Sequence, residues 1–62
     1  MIERDIWISA NLLLKQYGED AEIVAAQRAD AMLATGDLDG LTVWKQVITA
    51  IKALRSTEGV QH

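Results

Sequence analysis

Cysteine and proline are absent from this 62-residue chain, histidine occurs once, and the aromatic side chains are limited to two tryptophans and one tyrosine. Without cysteine there can be neither disulfides nor thiolate metal sites, which fits a reducing compartment. Without proline nothing breaks a helix outright. Four glycines, at positions 18, 36, 40 and 59, leave room for long helices joined by brief turns. The one histidine is His62, the last residue. No Ser-His arrangement can be built on it, because a base has to be held within hydrogen-bond reach of its nucleophile. Long apolar runs are also missing. No stretch approaches the roughly 18 residues that a membrane span needs, and the opening "MIERDIW" has no basic segment followed by an apolar run. Positive charge is scarce: the formal net charge of −3 argues against a general attraction to nucleic acid or to an anionic membrane surface. A cytoplasmic protein is expected.

What the chain does have is apolar substance, at 50% of its residues. That is enough for one domain with one thin core. Chains this short are marginal unless disulfides, metals or association assist them. With ~100° assigned to each residue, three helical wheels emerge. From Glu3 to Tyr17 one face collects Ile2, Ile6, Ala10, Leu13, Leu14 and Tyr17, with Trp7 at its edge, and Gly18 follows as a left-handed terminator. A second helix is expected from Asp20, acting as its cap, to Thr35, with Gly36 ending it. Asp37 should cap the third, which runs to about Arg55. There Gly40, Val43, Trp44, Val47, Ile51 and Leu54 share one side, opposite Thr42, Lys45, Gln46, Thr49 and Lys52. Turns this short set neighbouring helices antiparallel. The fold class is therefore all-α: a compact three-helix bundle with short glycine-containing turns over residues 1–56, followed by a frayed tail, 57–62. A helix-turn-helix module and a single helical-repeat pair compete with it.

The middle helix is rich in alanine (Ala21, Ala25, Ala26, Ala29, Ala31 and Ala34), which lets its neighbours pack closely. The missing bulk should come from Trp7, Leu13, Tyr17, Trp44 and Ile51. Arg28 falls just off the arc of small residues, with no carboxylate three or four positions away. Its stem can cover apolar surface while the guanidinium reaches water, or it can form a bidentate contact to another helix or chain. Asp30 should lie near the level of both tryptophans, where it could accept an indole N–H bond or else stay solvated.

Sites for chemistry are few. The turn "GDLDG" echoes the opening of a calcium loop, but with Asp37 as first residue the fifth, sixth and twelfth are Leu41, Thr42 and Ile48, and the match fails. Helix capping by Asp37, with Gly40 permitting close approach, explains the same residues. No catalytic residue, cofactor, metal or small-molecule substrate is expected. Lys45, Lys52 and Arg55 lean to one outer side of the third helix, a weak nucleic-acid signal without interleaved aromatics. The first helix carries a stronger feature: Ile8 and Leu12 sit one turn apart on the side away from its core stripe, among Arg4, Asn11 and Lys15. Ile23 of the second helix also faces away from the small residues. An apolar pair on so small a domain reads as a partner helix site or a homodimer seam.

The segments "DIWISANLLLKQYGEDA", "AAQRAD" and "GDLDGLTVWKQVITAI" resemble a family of short uncharacterised bacterial helical proteins, a domain of unknown function. The resemblance spans about Asp5 to Ile51. It implies a free-standing bacterial protein and transfers no site residue. The function expected from the residues is a protein interaction or self-associating module without catalytic activity, contacting a protein partner or itself as a homodimer through Ile8, Leu12, Ile23 and Arg28. The alternative is a small nucleic-acid-binding regulator using the outer face of the third helix.

Overall fold

The computed structural model describes residues 3–59, with the side chains of residues 3–56. Helix α1 spans Glu3–Tyr17, a 3₁₀ turn covers Gly18–Asp20, α2 spans Ala21–Thr35 and α3 spans Leu38–Gly59. Acids open α1 at Glu3 and Asp5 and Lys15 closes it, each on the end of the helix dipole that favours its charge. Gly18 follows at φ +56°, a conformation any side chain would strain.

The second helix departs from expectation at its start. Asp20 holds the N-cap position but makes no side-chain cap bond. Its backbone is already right-handed helical, at φ −85° and ψ 0°, whereas a capping side chain needs a more extended cap residue. The preceding 3₁₀ turn does the work instead, with the Ala21 N–H bonded to the Gly18 carbonyl. The far end follows the sequence. Gly36, at φ +78°, donates its N–H to the Leu33 carbonyl at 3.1 Å, and Asp37 donates to that of Met32 at 2.9 Å. Both bonds satisfy carbonyls that the end of α2 would otherwise leave open.

Asp37 caps α3 as its position suggests, its Oδ1 accepting the Gly40 N–H at 2.8 Å. Gly40 is closely approached: a Cβ there would stand 2.7 Å from Met32 Sδ and 2.8 Å from Asp37 Oδ2, so both side-chain ends would have to shift. The helix then runs to Gly59 rather than ending near Arg55. Ser56, Thr57 and Glu58 lack periodicity but include no helix breaker, so the backbone ladder continues to the glycine. The rest of the expected tail, with His62, lies outside the described residues, as does Ile2.

Three helices and no strand among the described residues make an all-α bundle, 42 × 22 × 17 Å in extent. The α2–α3 interface is the largest, and α1 lies more against α3 than against α2. Met32 beside Gly40 at one end, and Glu22 beside Arg55 at the other, fix α2 and α3 as antiparallel.

The core is thin and largely alanine. Ile6, Ala10 and Leu13 of α1 meet Ala21 and Ala25 of α2 and Val47, Ala50 and Ile51 of α3, with Leu14, Val24, Trp44, Ile48 and Leu54 packed around them. Ala29 is buried as well, so the arc Ala21, Ala25, Ala29 is the concealed edge of α2. The largest fully buried side chains are only Ile51 and Val47. Two expected suppliers of bulk are not in it: Trp7 and Tyr17 are exposed. A wheel gives the direction of a side chain but not the reach of its neighbour, and Tyr17 stands on the last residue of α1. No described helix is long and apolar enough to cross a membrane.

Candidate interaction surface

Helical geometry places residues four apart on one face, one turn above the other. On α1 that relation joins Ile8 to Leu12 on the side directly opposite Ile6, Ala10 and Leu13. Both stand open, at 49% and 52% exposure, and Ile23 on the outer side of α2 is 56% exposed. The neighbours of the α1 pair are polar and open too: Arg4, Asn11 and Lys15 are exposed, and Asn11 donates its side-chain amide back to the Trp7 carbonyl at 3.0 Å. Two further leucines, Leu33 and Leu38, lie exposed on either side of the α2–α3 turn. Sequence reasoning passed over them. Their one available signal is that neither falls on the core arc of its helix.

Arg28 has a partner that its spacing did not reveal. The guanidinium carbon lies 5.5 Å from the centroid of the Trp44 ring, a cation–π contact between α2 and α3. The guanidinium itself thus lies over the half-buried indole, and no carboxylate is involved. Asp30 takes the solvated role. It is exposed on the outer side of α2 and accepts no bond from either indole, because it points about half a turn of the wheel away from Ala21.

The charges of α3 are divided among different surroundings. Arg55 Nη1 meets Glu22 Oε1 at 3.3 Å, a partly exposed pair bridging α3 to the start of α2. Lys45 instead borders a groove between α1 and α3 of about 520 Å³, lined by Ile6, Trp7, Gln46, Thr49 and Ala50 among others. Thr42 and Thr49 on its rim turn their hydroxyls back to the carbonyls of Leu38 and Lys45, at 3.0 and 3.1 Å. The groove therefore presents an apolar floor with Glu3 and Lys45 as its charged borders. Among the described residues no group of three or more His, Cys, Asp or Glu could hold a metal ion.

Fold and surface together define a small all-α three-helix bundle whose interior is filled by alanines while several of its larger aliphatic side chains face outward. No protein-family model, curated protein or solved structure matches the chain.

Proposed function

We propose that this protein is a non-catalytic helical interaction module that associates with itself through the outer faces of α1 and α2. The observation that carries the reading is an inversion of size: Ala10, Ala21, Ala25, Ala29 and Ala50 are buried, while Ile8, Leu12, Ile23, Leu33 and Leu38 are exposed. Single exposed apolar residues are normal, but this many on a chain of 62 residues leaves much of its hydrophobic substance unused by its own core. Association supplies the burial that the bundle lacks. Ile8, Leu12 and Ile23 give the apolar contact. Arg28, seated over Trp44, offers the outer side of its guanidinium as a polar border.

Sedimentation equilibrium from micromolar to millimolar concentration tests this. The wild-type mass is expected to rise above the 6.8 kDa of one chain, and Leu12→Asp to hold it there. A wild-type mass that stays at one chain throughout removes self-association. The nucleic-acid reading has less behind it, since Arg55 is engaged by Glu22 and Lys45 borders the groove. Saturable binding of mixed duplex DNA at low salt would revive it.

A further inference from the structure

The chain has no cysteine and two methionines, and Met32 carries the one sulfur atom among the described residues. It stands where α2 gives way to α3. Its backbone carbonyl accepts the Asp37 N–H at 2.9 Å and the Thr35 hydroxyl at 3.0 Å, which anchors the turn. Its side chain crosses to the first turn of α3. A Cβ on Gly40 would stand 2.7 Å from Met32 Sδ and 2.8 Å from Asp37 Oδ2, so thioether and carboxylate converge on one spot over the Gly40 backbone. The same carboxylate caps α3, its Oδ1 accepting the Gly40 N–H at 2.8 Å. Met32 is half-buried rather than sealed, which leaves an approach for a small oxidant.

We propose that Met32 is an oxidation site, and that hydrogen peroxide acting there loosens the α2–α3 turn. The sulfur lone pair attacks one peroxide oxygen and the O–O bond breaks. Sulfur is oxidised by two electrons to the sulfoxide, the peroxide is reduced to water, and no proton leaves the protein. The product is polar, and its new oxygen accepts hydrogen bonds without donating any. Kept in place, that oxygen sits beside the Asp37 carboxylate, where two negative acceptors repel and the cap bond to Gly40 weakens. Swung out to water, the side chain leaves Gly40 and forfeits its contact between the helices. Either route lowers the stability of the turn, and methionine sulfoxide reductases reverse the change. The site lies apart from the outer faces of α1 and α2 and does not depend on self-association.

Peroxide treatment of the full chain, followed by peptide mass spectrometry, tests the site. Trypsin separates the two methionines, because Arg4 and Arg28 lie between them. The Met32 peptide is expected to gain one oxygen in millimolar peroxide while circular dichroism stays helical. The Tm of the oxidised chain should fall by about 4–8 °C, and the Gly40 amide should exchange with deuterium several-fold faster. Met32→Leu, close in volume and without sulfur, is expected to keep its Tm and its Gly40 exchange rate through the same treatment. The proposal is overturned if Met32 stays reduced until urea unfolds the chain. It is overturned equally if oxidation leaves Tm and Gly40 exchange unchanged, or if peroxide lowers the Tm of Met32→Leu as far as that of wild type. Should Met32→Leu fail to fold, the two methionine sulfoxide reductases, one for each epimer, act on the oxidised wild type instead. Slow Gly40 exchange is expected to return with the reduced sulfur, and exchange that stays fast overturns the proposal.

Discussion

Replacing Ala25 by leucine asks how closely α2 is gripped. Ala25 is fully buried in the cluster that joins all three helices. Two effects of opposite sign compete. If space were available, three added carbons at ~0.8 kcal/mol each would stabilise the fold by about 2.4 kcal/mol. If the neighbouring helices already touch the alanine methyl, the larger side chain forces backbone shifts and poor rotamers, and costs about 1–3 kcal/mol. With no accessible surface at the site, the second effect should win. An unfolding entropy of roughly 2.1 cal/mol/K per residue gives about 0.13 kcal/mol per kelvin for a chain of this length, so Tm should fall by about 8–23 °C. Ala26→Leu is the internal control. It stands one residue along and exposed, and should change stability by less than about 0.5 kcal/mol. Thermal and urea unfolding at low protein concentration measure both. A stabilised Ala25→Leu, or equal responses from the two variants, would refute the close clasp of α2.

Two further outcomes follow from single contacts. Asp37→Ala removes the acceptor of the 2.8 Å bond from the Gly40 N–H and should lower stability by about 1 kcal/mol in urea unfolding, while Asp37→Asn, which can still cap, should stay near wild type. Arg28→Ala removes the cation above Trp44 and should cost about 0.5–1 kcal/mol, readable as a Tm lower by about 4–8 °C; an unchanged Tm would mean that the contact adds nothing to the α2–α3 seam.

Local rules placed most of this fold in the sequence, and distance in the chain hid the rest. Gly18 and Gly36 announced both helix ends because the left-handed conformation is one that only glycine adopts freely, and both have it. Three-residue and four-residue periodicity was enough to bury Ala21, Ala25, Val47 and Ile51 and to leave Ile8, Leu12 and Ile23 outside. What spacing could not supply was contact between separate helices. Glu22 and Arg55 lie 33 positions apart, and Arg28 reaches Trp44 on a different helix. The Asp20 cap failed for a local reason of another kind, since a 3₁₀ turn entering α2 left no extended residue to carry it. Tyr17 was misplaced because a wheel treats a helix as endless, and this one stops there.

An interior made of alanine methyls also shapes how the protein responds to temperature. Alanine has no rotamers to freeze, so folding gives up little side-chain freedom at those positions. The same methyls remove little apolar area from water, and the heat-capacity change of unfolding, which follows that area, is correspondingly small. A small heat-capacity change flattens the curve of stability against temperature. The lone chain should therefore hold a modest but nearly even stability from the cold up to its transition, and lose it across a broad thermal range.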